Sequence, residues 1–139
     1  MTEPSLQPIR YGVAVVIPRG ETLLVIRRSA LVLAPGKFCF PGGGIEPGES
    51  EAETVIREIS EELGVAVTPV RRLWQSSTRW RVDLAWWLAE LSPAIEPVPN
   101  PAEVESCHWL TIDEMLAHPE LLDSNRDFLT ALLAREFSL

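Results

Sequence analysis

Cysteine is scarce: Cys39 and Cys107 are the two thiols in 139 residues. They form no C-x-x-C pair and no disulfide framework, so the expected compartment is a reducing cytoplasm. Histidine is equally scarce, and His108 and His118 share no local ligand spacing, so no zinc site is expected. No apolar run approaches the ~20 residues needed to cross a bilayer, and the first ten residues lack the basic-then-apolar plan of a secretory signal. No membrane partner is therefore expected. Positive charge is also short, with 12 Lys and Arg against 20 Asp and Glu, a net −8. That balance disfavours unspecific binding to nucleic acid but not a nucleotide that arrives with divalent metal. There is no internal repeat or low-complexity stretch. What is present is 46% hydrophobic, enough for one well-packed domain spanning residues 1–139.

Residues 11–17 form a β-branched apolar run closed by Pro18, Arg19 and Gly20, and residues 22–27 form a second strand, predicting a hairpin. A loop over 29–37 leads to a short strand at 38–40 and then the glycines Gly42, Gly43 and Gly44. Strands are expected at 65–76, 80–91 and 103–110. The segment 92–101 holds four prolines and reads as a loop. Thr111 caps a short helix, and 124–135 forms the last one. This order is α+β, with a mixed sheet between helices.

The helix after the glycines carries the most information. Ser50 and Glu53 make a capping-box pattern and Gly64 sits where a C-terminal glycine is expected, giving about fourteen residues. Ala52, Val55, Ile56, Ile59 and Leu63 follow the spacing of a buried stripe. Glu58, Glu61 and Glu62 lie beside it. Glu58 and Glu62 are like charges one turn apart, at the helix end where the macrodipole disfavours anions, a cost of about 0.2–0.5 kcal/mol. Two readings account for this. One is a solvated acidic face; the other is a site for a hard divalent cation, whose oxygen preference suits magnesium, manganese or calcium. Arg57 has Glu53 within reach one turn back.

The order Gly43, Glu49, Arg57-Glu58-Ile59, Glu61-Glu62 and Gly64-Val65 fills every fixed position of the Nudix box. The chain thus resembles the Nudix hydrolases, over about a sixth of its length directly and over most of it through the order of elements. The resemblance implies the Nudix α/β/α sandwich and hydrolysis of a nucleoside diphosphate linked to another moiety, with Mg2+ or Mn2+ as cofactor. It implies Glu58, Glu61 and Glu62 as metal ligands, one of them or a glutamate from another loop serving as base. It also implies the Gly42 carbonyl as a further ligand and a pairing of Arg57 with Glu49 that orients the helix. An acidic residue downstream of the box often completes such sites; Glu103 and Glu105 stand in the right place, and alternation would set both on one face, with Glu105 taken as the ligand. Homodimers are common in the family, and the oligomeric state is open.

Arg27, Arg28 and Lys37 border the active site in this fold and suit phosphate. Many relatives carry tryptophan where Phe38 stands. Trp80 and Trp86 alternate in phase with Val82, Leu84 and Leu88 and read as core, whereas Trp87 falls on the opposite face and is the pocket candidate. Trp74 and Trp109 carry no distinguishing signal. The substrate could be a damaged nucleoside triphosphate, a nucleotide sugar, ADP-ribose, a dinucleoside polyphosphate or a coenzyme pyrophosphate. Isopentenyl diphosphate isomerases share the fold but need a catalytic cysteine and a longer chain. The remaining alternative is a non-hydrolytic nucleotide-sensing Nudix domain, although such domains often lose box glutamates that are all kept here.

Overall fold

The computed structural model describes residues 8–78 and 81–139. Their elements run β1 Arg10–Val16, β2 Pro18–Arg19, β3 Thr22–Arg28, β4 Phe38–Cys39, β5 Gly42–Gly44, α1 Glu51–Leu63, β6 Thr68–Ser77, β7 Val82–Glu90, β8 Val104–Leu110, α2 Ile112–Ala117 and α3 Asp123–Leu133. Trp80, expected in the core at the start of β7, lies outside the described residues.

The strands form a mixed sheet of order β5-β1-β7-β6 and an antiparallel sheet in which β3 is flanked by β2, β4 and β8. In the mixed sheet β1 runs parallel to β7, and the other pairs are antiparallel. The expected hairpin between the first two long strands is corrected here. Pro18 ends β1, and the chain passes into the second sheet, where the two residues of β2 pair with β3 around Gly20. A proline at that point removes a ladder donor, which makes the transfer between sheets inexpensive.

Both faces of β1 are covered, which is why it reads as a continuous apolar run rather than an alternating one. Val13 and Val15 face α1 and meet Val55, Ile59 and Leu63. Ala14 and Val16 face the other way and join Trp86, Phe128 and Leu129. Burying any one of these large side chains contributes about 1.5–3 kcal/mol. Helices on both sides of the strands give three layers, the expected α/β/α arrangement. Cys39 and Cys107 both pair with Ile26, one from each side, so two strand spacings, about 10 Å, hold the free thiols apart.

Candidate active site

Helix α1 begins as its sequence dictates. The Ser50 hydroxyl accepts from the Glu53 amide at 3.1 Å, and the Glu53 carboxylate accepts from the Ser50 amide at 2.9 Å. It ends at Gly64, whose φ of 63° is a left-handed cap that favours glycine. Its buried face departs from the apolar stripe. Glu58 and Glu62 are 8% and 7% exposed, while Ile56, expected inside, is 45% exposed. Two carboxylates point inward where hydrophobic burial alone would choose otherwise.

The glycine turn is built around them. The three glycines form an edge strand against β1 rather than a free loop. A Cβ on Gly43 would land on the Glu58 carboxylate, and one on Gly42 would land on the Val13 carbonyl. The Gly42 amide donates to Glu62 Oε1 at 2.9 Å. Burial, then the charge of Glu58, pushes the Glu62 carboxyl up to about 8. Burial raises Glu58 as well, against the lowering effect of Arg57, with Glu61 and Glu103 adding to the rise.

Arg57 is the hub of the site. Its guanidinium holds Glu49 through two parallel bonds of 2.7 and 2.8 Å, the geometry that makes arginine–carboxylate pairs strong. It donates also to the Gly44 carbonyl at 2.9 Å, to Glu58 at 3.0 Å and to Glu61 at 3.2 Å. The pairing with Glu49 follows the resemblance; Glu53, the local alternative, is occupied by the helix cap. Hydrogen bonds from Arg57 and then Thr54 hold the Glu49 carboxyl down at about 2. One side chain thus ties the glycine turn, the segment before α1 and α1 itself together.

The proline-rich segment docks on the end of α1. Val98 and Asn100 amides donate to the carbonyls of Leu63 and Glu62, each at 2.8 Å, and the Asn100 side chain donates to the Glu61 carbonyl. These bonds satisfy carbonyls that a helix end leaves without partners. They also deliver Glu103 to the glutamates: its charge raises both Glu58 and Glu62. Glu103 Oε2 is buried and has no hydrogen-bond partner among the described residues. The expectation that Glu103 and Glu105 share a strand face is corrected. β8 starts at Val104, and the register against β3 shifts between Arg27 and Arg28. Glu105 is exposed and pairs with Arg27 at 3.2 Å.

A cleft of about 360 Å³ opens beside the turn, lined by β1, Gly42–Gly44, Val82, Leu84, Cys39, Phe40, Ser124, Asn125 and Arg28. Of the residues expected at substrate, Arg28 lies there; its guanidinium donates to the Leu33 carbonyl at 2.6 Å and approaches the Cys39 sulfur at 3.9 Å. Arg27 is paired as above, and Lys37 pairs with Glu120 at 2.9 Å. Trp87 lies on the α1 face, donating to Glu51 Oε1 at 2.8 Å, and does not line the cleft. Ala14, Leu84 and Phe40, from the face Trp86 shares, line the cleft together with Val13, Ile26 and Cys39 from the α1-side cluster. Trp86 is fully buried, as expected. Trp74 stacks into the same core, and Trp109 lies under the Arg19 guanidinium. His108 and His118 flank the Phe38 ring. Asn125 escaped the sequence reading; it is buried, with Oδ1 accepting from the Phe40 amide at 2.8 Å.

Among the described residues no three acidic, histidine or cysteine side chains converge on one point, because Glu61 turns to Arg57 and Glu62 to Gly42. The donor set still fits a hard divalent cation. It is all oxygen, it holds more buried negative charge than Arg57 neutralises, and it includes the partnerless oxygen of Glu103.

Comparison with known proteins places this geometry in context. Residues 8–132 match the NUDIX domain. The NAD-capped RNA hydrolase NudC of Stutzerimonas stutzeri (strain A1501) is 34% identical over 95% of this chain and 46% of its own length. Nudix hydrolase 3 of Caenorhabditis elegans is 32% identical over 70% of this chain and 44% of its own. The chain spans about half the length of the curated relatives it matches. Among solved structures, the MutT protein from Methanosarcina mazei Go1 superposes with a TM-score of 0.78 at 24% identity, covering 94% of this chain and 96% of that one. The MutT NUDIX hydrolase from Burkholderia pseudomallei gives 0.72 at 26% identity, covering 89% and 98%.

Proposed function

Because the chain belongs to the NUDIX domain family, we propose that it hydrolyses a diphosphate bridge joining a nucleoside diphosphate to another moiety, in a divalent-metal-dependent reaction. One observation carries the reading: Glu58 and Glu62 are buried, both feel the charge of Glu103, and Glu103 Oε2 is buried without a partner among the described residues, a costly arrangement unless cationic charge offsets it. Glu58, Glu61, Glu62 and Glu103, with the Gly42 carbonyl, would hold magnesium or manganese; Glu105, committed to Arg27, is the weaker candidate. Such an ion, when bound, neutralises phosphate oxygens and lowers the pKa of a coordinated water. Arg57 and Glu49 orient α1 against the turn, and the cleft beside the turn takes the substrate, with Arg28 placed for a phosphate. A carboxylate of the group takes the proton from the attacking water.

The substrate class is a small nucleotide derivative, and a dinucleotide with a diphosphate bridge is the first candidate, since several relatives carry names of NAD-capped RNA hydrolases. The charge of −8 weighs against affinity for RNA itself. Residues 1–139 act as one domain, in a reducing cytoplasm suited to two free thiols. Among the described residues no helix is long and apolar enough to cross a membrane.

The test is phosphate release, after a coupled phosphatase, across NAD, ADP-ribose, nucleotide sugars, dinucleoside polyphosphates and NAD-capped RNA, with and without magnesium or manganese. Each is run beside Glu61→Gln. Metal-dependent release that the variant loses supports the reading and names the substrate. Release that survives the variant, or needs no metal, sinks it.

A further inference from the structure

We propose that Arg10 is a specificity-determining residue that binds an additional phosphate on the part of the substrate remote from the bond that is cut. This rests on reading the cleft as the place where the diphosphate lies. Strand phase is the first observation. Arg10, Gly12 and Ala14 share one face of β1, opposite Val13 and Val15, which face α1, and all three line the cleft, as do Tyr11 and Val13 between them on the strand. Their parallel neighbours on β7, Val82 and Leu84, line it too. Gly12 contributes no side chain, so nothing on β1 stands between Arg10 and the floor of the cleft.

The second observation concerns charge. Elsewhere on this acidic chain five cations are matched by carboxylates, Arg19 by Glu96, Arg27 by Glu105, Lys37 by Glu120, Arg57 by Glu49 and Arg72 by Glu51, while Arg71 and Arg126 donate to backbone carbonyls. Neither of the two arginines that line the cleft has a carboxylate partner among the described residues. Arg28 is bonded to a carbonyl and a sulfur, with no carboxylate partner. The Arg10 side chain has no hydrogen-bond or ion-pair partner among the described residues. Unmatched guanidinium groups in a cleft walled by apolar side chains concentrate anions there.

Position then separates the two roles. The glycine turn that touches Glu58 and Glu62 pairs with Gly12, Val13 and Ala14. Arg10 lies two residues further out, about 7 Å along the strand. A diphosphate cut beside the turn therefore sits nearer to Arg28, and Arg10 meets what lies beyond it. A neutral sugar or unphosphorylated ribose gives Arg10 nothing to bind; a phosphate gives it a bidentate partner.

NAD and NADP share the diphosphate bridge and differ by one ribose phosphate. We would measure KM, kcat and calorimetric Kd for both in magnesium, for the wild type, Arg10→Gln and Arg10→Lys. The wild type is expected to favour NADP about tenfold in Kd and KM. Arg10→Gln should raise the NADP values at least five times more than the NAD values, and Arg10→Lys should recover most of the difference. Equal effects on both dinucleotides overturn the inference, as does a wild type that binds NADP no more tightly than NAD. Selective loss of NADP binding with no cleavage of either would remove the hydrolase reading and leave this one standing. Cleavage without selectivity would do the reverse.

Discussion

The two faces of the mixed sheet are built from different materials. The face opposite α1 is aromatic: Trp86 stacks on Phe128 at 4.6 Å between ring centroids, with Phe40, Trp74 and Phe137 around them. The fully buried apolar side chains of the α1 face are aliphatic, with Trp87 at its margin, yet this face admits Glu58 and Glu62 next to Val55, Ile59 and Leu63. Dense packing of large rings stabilises the fold without any ion or ligand. Buried carboxylates destabilise it until something cationic arrives. The contrast teaches that the buried carboxylates and the aromatic core lie on opposite sides of one sheet, with the cleft bordered by the aromatic side through Phe40 and Leu84.

The strongest way to break that contrast is to damage each face separately. Phe128→Ala should cost about 3–5 kcal/mol in urea unfolding, through lost transfer energy and a cavity under Trp86. Turnover per folded molecule should stay near wild type. Glu61→Gln should do the opposite: lose at least ~100-fold in kcat, equivalent to about 2.7 kcal/mol of barrier, with the unfolding midpoint unchanged. A large stability loss in the second, or a kcat collapse in the folded fraction of the first, would mean that the faces are not separable.

A gentler test uses pH. Burial puts the Glu62 carboxyl at about 8, above its ordinary 4.5. The native state therefore holds a proton that the unfolded chain releases, and stability is greatest below the unfolded value. It should decline between about pH 4.5 and 8, by on the order of 1–3 kcal/mol, when chelator keeps the protein metal-free. Glu62→Gln should flatten that part of the profile, and divalent metal should raise the midpoint at pH 8 more than at pH 5. A wild-type profile that is flat across this window would show that the inward carboxylates are solvated.

Much of the site was legible because it is written at fixed spacing. The Gly43 to Val65 pattern located the turn, the capped helix and the Arg57–Glu49 clamp, each of which depends on local geometry. What failed depended on long-range packing. Alternation separated Trp86 from Trp87 correctly, but because both faces of the sheet are covered it could not say that Trp87 stays out of the cleft. Counting in twos from Glu103 put Glu105 beside it, whereas the chain enters β8 one residue later and the ladder slips at Arg27. Arg10 had a readable signal, its phase with Gly12, that means something only once the cleft is known. The stripe on α1 failed at Ile56, where apolar identity and helical spacing both said inside.

Ile56 supplies the finest test of the contrast. If α1 is oriented by its carboxylates and the Arg57 clamp, its outward isoleucine is incidental to the fold. Ile56→Lys should then change stability by no more than about 0.5 kcal/mol; the new lysine lies three residues after Glu53 and would gain a few tenths from that pair. Ile59→Lys, one turn along and fully buried, should by contrast prevent folding. Turnover of Ile56→Lys should match wild type. A loss above about 1 kcal/mol would contradict the exposure of Ile56, and its dependence on protein concentration would give the reason. A loss that grows with concentration places a second copy of the chain over this helix, whereas a concentration-independent loss means that α1 turns its apolar stripe inward after all and the buried glutamates are misassigned.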